Sequence, residues 1–163
     1  MGARWQEIDL VAKIWTIPGE RMKAGREHRV PLSDAALAVL EQVAPLAMMT
    51  DGKPDPAAPV FPGPRRALPL SNMTMLMLLR RMKRGDLTAH GFRSSFSDWA
   101  AERTAYPREV VEMALAHAVE NKVEAAYRRG DLFEKRRQLM EAWATYCAGQ
   151  ASTVTPLRSG PLR

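Results

Sequence analysis

The chain has 163 residues, 46% of them hydrophobic and 26% charged, enough for one domain with a sizeable core. Lys and Arg number 24 against 18 Asp and Glu, and the net charge of +6 permits nucleic acid or another anionic surface as a partner without proving it. A single cysteine, Cys147, excludes a disulfide framework and fits a reducing cytoplasm, while no apolar run approaches the ~20 residues of a membrane span.

No signal peptide is expected at the start of the chain. There is no Cys/His cluster with zinc spacing and no glycine-rich phosphate loop, so neither a metal nor a nucleotide cofactor is expected. Basic residues gather at Arg65-Arg66, Arg80 to Arg84, Arg128-Arg129 and Lys135 to Arg137. Runs of this kind serve as solvated helix faces as readily as binding sites.

Residues 1–32 predict three short antiparallel strands: Trp5 to Leu10, Lys13 to Ile17 and His28 to Leu32. Between the last two lies GERMKAGRE, a turn with Gly19 and Gly25 near its ends, from which Lys23 projects. Taken alone, Lys23 is an exposed loop lysine.

Ser33 suits an N-cap, and Ala36, Val39, Leu40 and Val43 then follow the spacing of a buried helical stripe that stops near Pro45. From Ala47 to Pro69 the Pro- and Gly-rich run predicts a long irregular connection, pinned to the core at Val60-Phe61.

Ser71 opens a second helix with Met75, Leu78, Leu79 and Met82 on one face. Its methionines, Met73, Met75, Met77 and Met82, read as adaptable core filler. Arg80, Arg81, Lys83 and Arg84 decorate its C-terminal end, where cations suit the helix dipole.

A helix from His90 to Arg103 follows, and the three-residue spacing of His90 and Arg93 puts both on one face. Pro107 fits the start of the next helix, in which Val110, Met113, Ala114 and His117 share a face. Taken alone, His117 is a core histidine. Residues 121–129 predict a short helix ending at Gly130, with Tyr127 in its last turn. Asp131 and Glu134 read as a capping box for a final helix whose stripe is Leu132, Leu139, Trp143 and Tyr146. The last segment, 150–163, has no periodicity and is expected to be a disordered tail.

Lys23, His90, Arg93, His117 and Tyr127 form a chemically coherent set. A phenol with an ordinary pKa of about 10 needs a base or cations to become a nucleophile. Arginine offers phosphate oxygens a planar fork of donors whose hold strengthens as charge accumulates. Histidine moves protons near neutral pH, and a lysine can protonate a departing alkoxide. The set suits transfer of a DNA phosphodiester to tyrosine without metal or ATP.

Three segments, WTIPGERMKAGREHRVPLS, LTAHGFRSSFSDWAAE and ALAHAVENKVEAAYRRGD, resemble motifs of the tyrosine recombinase (phage integrase) family, in particular integrases of the satellite-phage and genomic-island type. The resemblance covers residues 1–149. It implies an α+β catalytic domain, mostly α-helical with a small N-terminal three-stranded antiparallel sheet. It implies site-specific DNA recombination or integration by strand cleavage and rejoining through a 3′-phosphotyrosine intermediate. Tyr127 is then the nucleophile, Lys23 the general acid, His90 an aid to proton transfer, Arg93 the holder of the scissile phosphate and His117 a second phosphate contact. The implied partners are double-stranded DNA at attachment sites and further copies of the chain on that DNA, in the cytoplasm. No membrane and no small-molecule substrate are implied.

One departure matters. The family carries another catalytic arginine in a Thr-Gly-x-Arg-like turn. The segment ARWQEIDL resembles instead the strand that follows that turn, so Arg4 is not assigned to it. The expectation is a truncated catalytic domain, inactive or weakly active alone, and the alternative is a non-catalytic DNA-binding or interaction remnant of an integrase.

Overall fold

The computed structural model describes residues 2–65, 67–117 and 130–149. The chain divides into two compact units, Met1–Gly91 and Phe92–Arg163.

In the first unit the expected three-stranded sheet is present, with strands β1 (Ile8–Asp9), β2 (Ile14–Ile17) and β3 (His28–Pro31) in the order β1-β2-β3. Both pairings are antiparallel, with Ile8 opposite Trp15 and Ile17 opposite His28. The first strand is shorter than its sequence suggests because Trp5–Glu7 winds into a 3-10 turn. The β1–β2 turn is closed by Asp9, whose Oδ1 accepts from the amides of Val11 at 3.0 Å and Ala12 at 2.8 Å, the local bonding that suits Asp to turns.

Ser33 caps helix α1 (Asp34–Val43) as expected, its hydroxyl accepting from the Ala36 amide at 3.3 Å. The buried face is centred on Leu40 with Leu37 and Val43 beside it, while Val39 is exposed. The chain from Ala47 to Val60 is more regular than its composition implies. Met49–Thr50 (β4) pairs with Lys53–Pro54 (β5), and Ala47, Ala58 and Val60 join Trp5 and Leu40 in the core. Val60 pins this segment to the core, its amide donating to the Ala3 carbonyl at 2.9 Å, whereas Phe61 is exposed.

Helix α2 (Thr74–Arg81) buries Leu79, and Met75 and Leu76 are half-buried. Met73, Met77, Leu78 and Met82 are exposed, which corrects the expectation of methionine core filler. Eight residues make little more than two turns, and Met75 and Leu79, four residues apart, lie on the same inward side.

Helix α3 (Ala89–Arg103) begins beside the boundary between the units, and its later turns supply Phe96, Trp99 and Ala100 to the core of the second unit. Val110 and Val111 of α4 (Arg108–Ala114) and Leu139 of α5 (Phe133–Cys147) complete it. Rings dominate one side: Trp143 meets Phe96 edge-on at 5.4 Å and lies 5.0 Å from Trp99 between centroids, packing worth about 0.5–1.5 kcal/mol per pair beyond simple burial. Among the described residues the chain thus has five α-helices and a small antiparallel sheet, an α+β fold.

Candidate active site

Lys23 lies in the β2–β3 connection, whose base is pinned. Glu7, with its side chain largely buried, accepts from Trp15 Nε1 at 3.0 Å and from the guanidinium of Arg21. Arg21 also donates to the Gly2 carbonyl. Beyond it, the Met22 amide donates to the Gly19 carbonyl and the Gly25 amide to the Met22 carbonyl, each at 2.9 Å. Lys23 therefore occupies the second position of a tight four-residue turn, exposed to solvent. Gly25 closes that turn at φ +65, and a Cβ on Gly19 would stand only 2.8 Å from the Gly25 carbonyl oxygen, so both positions favour glycine.

His90 and Arg93 stand on α3 as the spacing predicts, His90 exposed in the first turn and Arg93 half-buried. The entry to that helix is fixed by Thr88, whose Oγ1 accepts from the Gly91 amide at 3.0 Å.

The C-terminal end of α4 is where two of the candidates meet. The helix stops at Leu115, and Ala116 turns the chain with φ 54. The Ala116 amide donates to the Met113 carbonyl at 3.1 Å and the His117 amide to the Glu112 carbonyl at 2.9 Å. This is the paired bonding of a Schellman stop, here with alanine at the left-handed position. Arg93 Nη2 donates to the carbonyl of Leu115, which brings its guanidinium to within two residues of His117 along the chain.

The stop also folds His117 back onto its own helix, where Nδ1 bonds the Glu112 carboxylate. His117 is exposed, not a core histidine, so it is open to a ligand. With Nδ1 engaged, Nε2 is the ring nitrogen that a ligand would use. The hydrogen bond from His117 holds the Glu112 carboxyl below its ordinary range. Partial burial opposes this, and the charges of His117 and Arg108 support it.

Arg93 and His117 thus share one end of α4 within the second unit, while Lys23 and His90 belong to the first. Tyr127 and the expected helix at 121–129 lie outside the described residues, as does the tail at 150–163.

Two residues of this region escaped the sequence reading. Glu112 precedes His117 by five positions, an offset that meets only when a helix stop reverses the chain. Arg136 is nearly completely buried, although it sits in a basic run. Its signal was positional, four residues after Leu132 and three before Leu139, on the stripe that faces the core. The capping box is also corrected. Leu132, at φ 51, is the N-cap of α5, and Asp131 one position earlier accepts from the Phe133 amide at 3.2 Å, while Glu134 pairs with Arg137 at 3.4 Å.

Among the described residues no group of three His, Cys, Asp or Glu side chains could hold a metal ion, and no helix is long and apolar enough to cross a membrane. Cations are spread along the surface, and Arg84 of the α2 run is partnered by Asp86 at 2.9 Å.

Comparison with known proteins gives these positions a context. The chain is 43% identical over 144 residues to the prophage integrase IntA of Escherichia coli K12, a match covering 87% of this chain and 33% of that protein. It is 31% identical over 161 residues to the integrase of enterobacteria phage P4, covering 88% and 35% respectively. The integrase of Shigella phage Sf6 is 31% identical over 145 residues, covering 88% and 36%. The chain therefore spans about a third of the length of the curated relatives it matches. No solved structure matches it significantly. The profile described as the phage integrase family matches residues 1–132, and the chain belongs to that family.

Proposed function

We propose that the chain is the catalytic part of a site-specific DNA recombinase, cleaving and rejoining strands through a 3′-phosphotyrosine at Tyr127. The Tyr127 hydroxyl oxygen attacks the scissile phosphorus, the bond to the 5′ oxygen breaks, and the phenolic proton leaves with help from His90. Lys23 protonates the departing 5′ oxygen. Arg93 and His117 bind the non-bridging oxygens and strengthen their hold as charge builds in the transition state. Attack by the freed 5′-hydroxyl of a second strand reverses the step and regenerates Tyr127. The partner is double-stranded DNA at attachment sites, on which copies of the chain self-associate in the cytoplasm.

The observation that carries this reading is that Arg93 donates to the Leu115 carbonyl at the end of α4, two residues before His117, whose Nδ1 is bonded to Glu112. Membership of the phage integrase family supports the reaction class. The test is a nicked suicide substrate carrying the element's attachment site. A covalent protein–DNA adduct that disappears with Tyr127→Phe is the expected result.

A second reading has its own observation. No Thr-Gly-x-Arg turn occurs within the 163 residues, so these residues alone do not supply the family's other catalytic arginine. Loss of one preorganised donor costs about 10²–10³ in rate. Salt-sensitive DNA binding with no adduct, even on long incubation, favours a non-catalytic DNA-binding module.

A further inference from the structure

Arg21 closes a short 3-10 turn, Gly19–Arg21, two residues before Lys23. A basic residue at this place suggests a DNA contact, yet its guanidinium is turned back onto the protein. Nη2 donates to Glu7 Oε2, and Nη1 donates to the Gly2 carbonyl. A Cβ built on Gly2 would meet Arg21 Nη1 at 3.3 Å, so the guanidinium lies close against the backbone there.

Glu7 is the fixed end of this link. Its side chain is only 7% exposed, and the same Oε2 accepts from Trp15 Nε1 at 3.0 Å. The 3-10 turn that carries it starts at Trp5, a core residue whose amide donates to the Ala58 carbonyl at 3.2 Å. At the other end, the Arg21 amide donates to the Pro18 carbonyl at 3.1 Å, and Met22 opens the turn that presents Lys23.

A line of contacts thus runs from the core through Trp5, Glu7 and Arg21 to the root of the Lys23 turn. We infer that Arg21 is a positioning residue for Lys23. It ties the root of the turn to Glu7 and so limits the directions in which the exposed ammonium points. The inference rests on the reading of Lys23 as general acid. Chemistry favours this role over a direct phosphate contact. A largely buried carboxylate without a cation is costly, and two of the guanidinium donors already serve Glu7 and Gly2. The planar fork reaches both acceptors at once, which the point charge of a lysine does not reproduce.

The test begins without DNA. Hydrogen exchange read by mass spectrometry compares the full chain with Arg21→Met, Arg21→Lys and Arg26→Met, the last removing the same charge just beyond the turn. Arg21→Met is expected to raise exchange in peptides spanning 18–27 by about tenfold while α1 keeps its protection. Arg21→Lys restores part of the loss, and Arg26→Met behaves as the parent. Unchanged exchange in Arg21→Met, an equal rise in Arg26→Met, or a rise spread evenly over the first unit overturns the inference. Should Arg21→Met fail to fold, Arg21→Lys decides by the same criterion.

On the suicide substrate, Arg21→Met is expected to slow adduct formation by about tenfold to a hundredfold. DNA with a 5′-bridging sulfur at the scissile phosphate restores most of that rate, because a thiolate leaves without a proton. The salt dependence of DNA binding keeps its slope. No rescue by sulfur, or a slope shallower by about one, would make Arg21 a phosphate contact and contradict the inference. An unmutated chain that forms no adduct on either substrate counts against strand transfer, whereas the exchange experiment judges the positioning role without DNA.

Discussion

Arg93 donates from Nη2 to the carbonyl oxygen of Leu115, tying α3 to the last turn of α4 two residues before His117. The bond does two things. It satisfies one of the carbonyls that a helix end leaves without a partner, and it fixes the direction of a guanidinium whose other donors can face a phosphate. Arg93→Lys keeps the charge but cannot serve the carbonyl and a phosphate oxygen with the same planar fork. It is expected to slow covalent adduct formation by about 10²–10³, with a smaller loss of DNA affinity. Single-turnover cleavage and a binding titration, run at the same salt concentration, separate the two effects.

Glu112 gives the site a pH signature. Its carboxyl is held below the ordinary range chiefly by the hydrogen bond from His117. A folded-state value below the unfolded one means that this group contributes stability above the unfolded pKa and loses that contribution as pH falls through the folded pKa. Glu112→Gln should therefore be less stable than the parent at about pH 6, with the deficit closing as the pH falls below the ordinary carboxylate range. Urea unfolding across that range checks the sign. A deficit of constant size would show that the carboxylate charge is not what matters.

Ala116 pays a steric cost for the stop that aims His117. Its φ of 54 places a Cβ in the left-handed region, where glycine is the natural occupant. Ala116→Gly is expected to stabilise the chain by about 0.5–1 kcal/mol, the relief of strain exceeding the added flexibility of the unfolded chain. Chemical denaturation measures this directly. Because the stop persists in the glycine variant, the pH behaviour of the Glu112–His117 pair is expected to be unchanged.

The turn carrying Lys23 is open to a similar test. A Cβ at residue 19 would stand 2.8 Å from a backbone oxygen rather than from a flexible side chain, so Gly19→Ala must displace the turn. The substitution is expected to cost about 1–3 kcal/mol in stability and to slow adduct formation more than it weakens DNA binding. If Lys23 is the general acid, DNA with a 5′-bridging sulfur at the scissile phosphate restores much of the rate of both Gly19→Ala and Lys23→Ala, because a thiolate leaves without a proton.

The sequence was most legible where one local rule decides the outcome. Ser33 caps α1 and the three strands pair as expected, because a cap and a two-residue period are properties of adjacent residues. It was least legible where a tertiary neighbour decides. The apolar residues of α2 outnumber the positions that one short face can bury, and periodicity alone does not say that Leu79 is inward and Leu78 outward. The Pro- and Gly-rich link, expected to reach the core at Val60, hid a second core residue, Ala58, because its burial depends on pairing Pro59 with Arg4 far away in sequence. Within the site, the types and spacings of His90, Arg93 and His117 were evident. The contacts that orient Arg93 and His117, through Leu115 and Glu112, arise only once α4 ends in its Schellman turn.

The most direct test of the account is the identity of the residue that joins DNA. The full chain is incubated with a nicked suicide substrate at its attachment site, and the adduct is digested and mapped by mass spectrometry. Slow accumulation of a 3′-phosphotyrosyl linkage at Tyr127, absent in Tyr127→Phe, is the expected result. A linkage at any other residue, or an adduct that survives Tyr127→Phe, would contradict it.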